Sequence, residues 1–134
     1  MNYLLDTNIC IHYLRDQYQV SEKIYKIGFQ NCSISEVTVF ELYFGAEKSK
    51  DPENNYKNID NFIQGLNILP IISCAKFYSK EKVRLQKLGK PIHDDFDLII
   101  GVTAQYNNLI LATENIKDFK NIENLKTENW FERN

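Results

Sequence analysis

Hydrophobic residues along the chain follow two spacings, one typical of strands and the other of helices. Short apolar runs predict five strands, at Tyr3–Leu5, Ser33–Ser35, Ile68–Ile72, Leu109–Ala112 and, last and shortest, Lys126–Glu128. Apolar residues three and four positions apart predict helices at Ile9–Leu14, about Thr38–Lys48, Pro52–Leu66, Ala75–Leu88 and Asp94–Tyr106. This alternation indicates an α/β fold with a parallel central sheet of four to five strands and helices on both faces.

Length and composition agree with one folded domain spanning residues 1–134. Hydrophobic residues make up 43% of the 134 residues, which is enough to bury a core, and there is no repeat or flexible linker. No apolar run is long enough to span a bilayer, so we expect a cytoplasmic protein with no membrane partner. Cys10, Cys32 and Cys74 are far apart in the sequence, and we expect them to be reduced core thiols.

Three acidic residues stand in apolar surroundings, where a solvated surface acid is not expected. Asp6 follows the first strand, whereas Glu41 and Asp97 each interrupt a hydrophobic segment of a predicted helix. A buried carboxylate is costly unless a base, hydrogen bonds or a metal neutralises it. No Lys or Arg lies within a helical turn of Glu41 or Asp97. If the three acids meet at the carboxyl ends of the strands, they favour a hard, oxygen-loving cation, Mg²⁺ or Mn²⁺, over zinc.

Other interpretations of these positions stay open. Asp6 and Asp97 each lie near a helix start, where a carboxylate can cap the helix or favour its dipole. Glycine follows two of the acids by four residues, at Gly45 and Gly101, on the same helix face. The missing side chains would leave room for an ion and a phosphate, or would let helices pack closely.

Taken in order, five segments resemble a PIN domain of the VapC toxin type, and the resemblance covers essentially the whole chain. They are Leu4-Leu5-Asp6-Thr7-Asn8, Thr38-Val39-Phe40-Glu41-Leu42 with Gly45-Ala46-Glu47-Lys48-Ser49, Gly89-Lys90-Pro91-Ile92 with Phe96-Asp97-Leu98-Ile99-Ile100, Leu111-Ala112-Thr113-Glu114-Asn115 with Asp118-Phe119, and Leu125-Lys126-Thr127-Glu128-Asn129-Trp130. The resemblance implies an α/β sandwich around a parallel sheet.

It also implies a Mg²⁺- or Mn²⁺-dependent endoribonuclease that hydrolyses phosphodiester bonds in structured RNA, above all tRNA, through a metal-activated water. Asp6, Glu41 and Asp97 match the catalytic and metal-binding positions of the family. The fourth acidic position aligns with Asn115, which can coordinate through its carbonyl oxygen but brings no charge, and Asp118 is an alternative. Thr7, Asn8 and Thr113 are expected to hold the carboxylates by hydrogen bonds.

The family resemblance further implies two protein partners, a cognate VapB-like antitoxin that blocks the site and a second toxin copy in a homodimer. Basic residues are concentrated between Lys76 and Lys90, although the net charge of the chain is −2. On a helix, four of them share one face and could bind an RNA backbone, or could simply be solvated: Lys76, Lys80, Arg84 and Lys87.

Two other classes of function remain. In a phosphoacceptor or phosphatase domain Asp6 would be a nucleophile, but a second acid is usual two residues later, where Asn8 stands. The missing acid at Asn115 leaves open a non-catalytic PIN-like module that binds RNA or protein without cutting.

Overall fold

The computed structural model describes residues 2–130, and within that range it contains five strands, seven α-helices and two short 3₁₀ turns. The strands are β1 (Tyr3–Leu5), β2 (Cys32–Ser35), β3 (Asn67–Leu69), β4 (Ile110–Ala112) and β5 (Thr127–Glu128). The helices are α1 (Thr7–Leu14), α2 (Val20–Ile27), α3 (Glu36–Glu47), α4 (Pro52–Gln64), α5 (Ala75–Lys87), α6 (Asp95–Tyr106) and α7 (Ile116–Phe119). The 3₁₀ turns cover Phe29–Asn31 and Ile72–Cys74.

All five strands are parallel and lie in the order β3-β2-β1-β4-β5. The first strand is therefore the central one, with Leu4 opposite Ser33 on one side and opposite Leu111 on the other. The chain first builds the sheet outward to β3 and then crosses over to β4 on the other side of β1. Such a change of direction opens a crevice at the carboxyl end of the central strand, where open α/β sheets bind ligands.

The sheet separates two hydrophobic cores. Leu5 belongs to a core formed with α1, α2, α3 and α4, whereas its neighbour Leu4 belongs to a core formed with α5, α6 and α7. Successive strand residues point to opposite faces, and both leucines are fully buried because helices cover each face. Burial of one leucine side chain contributes about 1.5–3 kcal/mol. The predicted parallel sheet with helices on both faces is confirmed.

The structure differs from the prediction in three places. Helix α2 was not predicted: it is short, and Gln19 at its N-terminus provides no side-chain cap, so it lacks a start signal. Helix α7 has only four residues and shows no helical period in the sequence. The strand predicted at Ile68–Ile72 ends at Leu69, because Pro70 cannot donate a ladder hydrogen bond.

Two helix starts also move to their capping residues. The Ser35 hydroxyl accepts a hydrogen bond from the Val37 backbone N–H, so α3 begins at Glu36, two residues before the predicted start. In the same way, Asp6 caps α1, which begins at Thr7. None of the helices within residues 2–130 has the length and apolar character that a bilayer-spanning segment requires.

Candidate active site

Asp6 joins the central strand to the first helix. Its backbone N–H donates to the Ala112 carbonyl at 2.9 Å, and one carboxylate oxygen accepts from the Thr7 backbone N–H at 2.8 Å. The other oxygen accepts from the Thr113 hydroxyl at 2.8 Å. The side chain is therefore fixed at the carboxyl ends of β1 and β4. The capping role that the sequence left open is real for Asp6, and it uses only one of the two carboxylate oxygens.

Glu41 reaches the same edge of the sheet from α3. One carboxylate oxygen accepts from the Thr7 hydroxyl at 2.7 Å, and the Thr7 and Thr38 hydroxyl oxygens are 2.9 Å apart. A hydroxyl carries one proton, so Thr38 donates to Thr7 while Thr7 donates to Glu41. A relay of two buried threonines thus orients Glu41.

Asp97 lies in the first turn of α6 but does not cap it. The cap is Asp94, whose carboxylate accepts from the Phe96 and Asp97 backbone N–H groups at 2.9 and 3.4 Å. The Asp97 carboxylate is therefore not used in capping, and the capping interpretation is wrong for this residue. It lies beside the same cavity as Asp6 and Glu41.

Burial and mutual repulsion raise the pKa values of two of these acids. Burial raises the pKa of Asp6 to about 6, and the charges of Glu41 and Glu114 add to the effect against the hydrogen bonds from Thr113 and Thr7. Burial raises the pKa of Asp97 to about 7, followed by the charges of Asp6 and other carboxylates. The charges that shift both pKa values all belong to acids, so the two carboxylates are repelled by their charged neighbours and would attract a cation.

The three acids line a cavity of about 900 Å³ at this edge of the sheet. Asn8 and Asn115 line it as well; the Asn8 side chain makes no hydrogen bond to another residue within 2–130, and Asn115 is exposed. The Asn115 backbone N–H donates to the Thr113 hydroxyl at 2.9 Å, which links it to the support of Asp6. Thr7 and Thr113 thus contact the carboxylates directly, whereas Asn8 does not.

The donors around the cavity suit a hard divalent cation, since they are mainly carboxylate and amide oxygens. Arg15 and Lys48 also line the cavity, but neither forms an ion pair with Asp6, Glu41 or Asp97 within residues 2–130. No group of three His, Cys, Asp or Glu side chains within residues 2–130 is close enough to form a ready metal site. Asp6, Glu41 and Asp97 share the cavity wall without forming a closed ligand shell, so binding an ion requires rotation of side chains. The donor chemistry fits Mg²⁺ or Mn²⁺. A bound ion would offset the repulsion between carboxylates that contributes to the raised pKa values of Asp6 and Asp97.

The two glycines that follow an acid by four residues have different roles. A Cβ on Gly45 would meet no atom within 4 Å, and Gly45 lines the cavity. A Cβ on Gly101 would lie 2.4 Å from the Ile122 Cδ1 atom and 3.2 Å from the Phe119 Cδ1 atom. Gly45 therefore leaves open space beside Glu41, whereas Gly101 allows close packing of α6.

The four basic residues predicted to bind RNA lie on α5, outside the cavity. Arg84 makes two hydrogen bonds to the buried Glu81, at 2.7 and 2.8 Å, and a third to the Asn121 carbonyl at 2.6 Å. Its charge is therefore used inside the protein. Lys76, Lys80 and Lys87 are exposed.

Some residues beside the carboxylates were not identified from the sequence. Phe40 and Phe44 line the cavity and are 72% and 67% exposed. Their spacing of four residues, interleaved with Glu41 and Gly45, was the available signal. His12, to which no role was assigned, lies with Nε2 3.2 Å from a Glu114 carboxylate oxygen.

Comparison with known proteins places this geometry in a family. The protein-family model described as PIN domain matches residues 3–125. Ribonuclease VapC2 of Haemophilus influenzae is 36% identical over 132 residues, covering 97% of this chain and 98% of the relative. The tRNA(fMet)-specific endonuclease VapC of Shigella flexneri is 31% identical over 131 residues, with the same coverage of both chains.

Solved structures agree with this result. The chain superimposes on VapBC2 from Rickettsia felis, bound to a DNA fragment from their promoter, with a TM-score of 0.88 and 34% identity over 97% of this chain and 99% of that one. DNA-bound VapBC from Salmonella typhimurium gives a TM-score of 0.89 at 29% identity, covering 97% and 98% of the two chains.

Proposed function

Because this chain belongs to the PIN-domain family, and within it to the VapC ribonucleases, we propose that it is the endoribonuclease toxin of a type II toxin–antitoxin pair and hydrolyses phosphodiester bonds in RNA with Mg²⁺ or Mn²⁺. One observation carries the metal-dependent mechanism. Three carboxylates from three different parts of the fold line one cavity at the crevice, and the neighbouring charges that raise the pKa values of Asp6 and Asp97 are all negative.

The residues that line the cavity have different proposed roles at the cation site. Asp6 and Asp97 are direct ligands of the cation, and Glu41 is a ligand or the general base that positions the attacking water. When bound, such an ion makes a strong nucleophile available at neutral pH and offsets the charge that builds on the attacked phosphate. Asn115 is a weak ligand through its carbonyl oxygen. Asp118, whose charge helps to raise the pKa of Asp97, is an alternative for the same position.

The threonine hydroxyls keep the carboxylates in position. Thr113 donates to Asp6 while accepting from the Asn115 backbone, and Thr7 donates to Glu41 while accepting from Thr38. The Thr7 hydroxyl holds one carboxylate oxygen of Glu41 and leaves the other for the cation. Both oxygens of Asp6 accept one hydrogen bond, from Thr113 and from the Thr7 backbone, so each can still offer a lone pair. Asn8 lines the cavity and contributes a polar side chain that can meet the substrate.

We assign structured RNA, above all tRNA, as the substrate class, and the name of the Shigella flexneri relative supports this choice. A VapB-like antitoxin that blocks the site is the proposed partner, because the similar structures from Rickettsia felis and Salmonella typhimurium are VapBC complexes. We also propose a homodimer of the toxin, and a cytoplasmic location, where the RNA substrate is found.

Incubation of the purified, partner-free protein with total tRNA tests the proposal. Parallel reactions contain Mg²⁺, Mn²⁺ or EDTA, and we expect discrete fragments that require the metal. Asp6→Ala and Asp97→Asn should abolish the fragments. Asp95→Asn is the matched control, because it makes the same change in charge two residues away on α6, outside the cavity.

A negative result has a defined meaning. If folded protein cuts neither tRNA nor ribosomal and messenger RNA with either metal, the nuclease proposal is wrong and the non-catalytic binding module is favoured. If cleavage persists in EDTA or in both carboxylate variants, the chain is a nuclease of another mechanism.

A further inference from the structure

A second cavity, of about 430 Å³, adjoins the first at the carboxylates. The two cavities share Asp94 and Asp97, and the second is also lined by Lys90, His93, Lys117 and Asp118. Because they have Asp97 in common, a linear polymer that passes this carboxylate can occupy both.

The two cavities differ in the chemistry they offer. Phe40, Phe44 and Phe96 line the first and present large exposed rings, which suit unpaired bases. The second has two lysines from distant parts of the chain, one after α5 and one in α7. Lysine ammonium groups bind phosphate oxygens as point charges.

Both lysines are exposed, and neither side-chain ammonium group forms an ion pair or a hydrogen bond within residues 2–130. Their basic neighbours on α5 are engaged, because Lys82 pairs with Asp95 at 2.8 Å and Arg84 pairs with Glu81. Among the basic residues of α5, α7 and the segment after α5, Lys90 and Lys117 line the second cavity with their charge available to RNA, whereas the charge of Arg84 is already paired.

The acids in the second cavity have other tasks. Asp94 is the N-terminal cap of α6, and Asp97 belongs to the proposed cation site. Asp118 is close enough for its charge to raise the pKa of Asp97, so it faces the same proposed site. With a cation bound at Asp97 and Asp118, the other charged residues that line the second cavity are Lys90, Lys117 and Asp94. Their net charge is positive and favours an anion.

We propose that the second cavity is the subsite for the phosphate next to the scissile one, and that Lys90 and Lys117 bind its oxygens. This inference rests on the proposed function, since it names how the same site holds its RNA substrate. The proposed RNA contact is therefore Lys90, after the end of α5, with Lys117 in α7, and not the exposed face of α5.

Binding measured without cleavage tests the subsite. A fluorescein-labelled, unstructured oligoribonucleotide is titrated by fluorescence anisotropy with Ca²⁺ in place of Mg²⁺ and Mn²⁺ against wild type, the Lys90→Gln/Lys117→Gln double variant and a matched Lys80→Gln/Lys87→Gln control. Gel electrophoresis of the titrated samples checks that the oligonucleotide stays intact. We expect the Kd of the first double variant to rise about fivefold to tenfold, and its slope of log Kd against log salt to fall by about 0.7 for each lost phosphate contact. The control should bind like wild type.

The unfolding temperature shows that both double variants are folded, which is expected because the four lysines are exposed. Equal weakening in both double variants would overturn the subsite, because it would show a general effect of net charge. Wild-type binding by the Lys90→Gln/Lys117→Gln variant would also overturn it, and would leave an acidic protein segment as the ligand of these lysines. A failure of the nuclease proposal is recognised separately, as absence of cleavage by wild type with Mg²⁺ and Mn²⁺.

Discussion

Two regions of this protein bury an acid, and they treat it in opposite ways. Asp6 and Glu81 are 3% and 4% exposed. Glu81 accepts two hydrogen bonds from Arg84 and one from the Glu123 backbone N–H, and its pKa is lowered, first by the hydrogen bonds from Arg84. The pKa of Asp6 is raised because burial and neighbouring carboxylates outweigh its hydrogen bonds.

Burial alone therefore does not identify a functional carboxylate, since Asp6 and Glu81 are equally buried but their pKa values shift in opposite directions. A buried acid with its own base is part of the scaffold, and here the Glu81–Arg84 pair ties α5 to the segment that follows α7. A buried acid among other acids stores repulsion that only a proton or a cation relieves. The four predictions below test this distinction.

The largest contrast is expected in catalysis. Asp97→Asn should lower the cleavage rate with Mg²⁺ by at least about 100-fold, since losses of this size already follow from removing partners of metal ligands. It should not lower stability, because it removes a repelled charge. Glu81→Gln should do the reverse and keep the rate while lowering stability. Initial cleavage rates and unfolding temperatures are measured for both variants. A loss of cleavage in Glu81→Gln but not in Asp97→Asn would show that Glu81, and not Asp97, is needed for catalysis.

The next effect concerns the paired acid. Arg84→Met should destabilise the protein by about 2–3 kcal/mol, because it leaves Glu81 buried without its cation, although partial exposure of Arg84 moderates the loss. Adding Glu81→Met should recover most of that free energy of unfolding. Urea denaturation of the two single variants and the double variant measures the coupling. Additive losses would show that the pair does not act as a unit.

Alanine substitutions of Gly45 and Gly101 are expected to change the free energy of unfolding by smaller amounts and in opposite directions. Gly101→Ala should destabilise the protein by about 1–3 kcal/mol, because its Cβ would overlap Ile122. Gly45→Ala should stabilise it by up to about 1 kcal/mol, since alanine is the better helix former and no atom opposes its Cβ. Urea denaturation compares them. A loss of stability at Gly45 equal to that at Gly101 would contradict the open space beside Glu41.

The pH dependence of stability separates the two regions as well, because their contributions have opposite signs and change in different pH ranges. Asp6 and Asp97 have raised pKa values, so the folded state binds more protons and their contribution declines as pH rises from about 4 to about 7. Glu81 has a lowered pKa, so its contribution is present above its ordinary value of 4.5 and is lost as pH falls below it.

In EDTA, the free energy of unfolding should therefore decline between pH 5 and pH 7, and Mg²⁺ should reduce that decline. Thermal unfolding across this range measures it, with Asp97→Asn as the control that should flatten the curve. A wild-type curve that rises with pH in EDTA would show that the carboxylate cluster is already compensated.

The sequence predicted most of the fold, and it singled out three acids that the structure brings to one cavity, for identifiable reasons. Asp6, Glu41 and Asp97 stand out because their neighbours are apolar, and the PIN-domain identification rests on their order along the chain. The parallel sheet followed from alternating strand and helix patterns. These signals are local, so one chain is enough to show them.

What the sequence did not show depends on contacts between distant residues. Arg84 lies on the same helix face as three solvated lysines, and only its partners Glu81 and Asn121 show that it is structural. The exposure of Phe40 likewise depends on a cavity formed by four helices, and the neighbours of Gly101 come from residues 119 and 122. The short helices α2 and α7 lack the caps or length that a sequence pattern needs.

The position of β1 at the centre of the sheet sets the order in which activity can arise during synthesis on the ribosome. Asp6 is synthesised more than a hundred residues before its hydrogen-bond partners Ala112 and Thr113, and the Thr113 backbone N–H donates to the Glu128 carbonyl. A nascent chain that lacks β4 and β5 has three of the five strands, and its Asp6 lacks the hydrogen bonds to Ala112 and Thr113. The carboxylate site therefore assembles only after β4 and β5 have been synthesised, which leaves time for a binding partner to be present when the site forms.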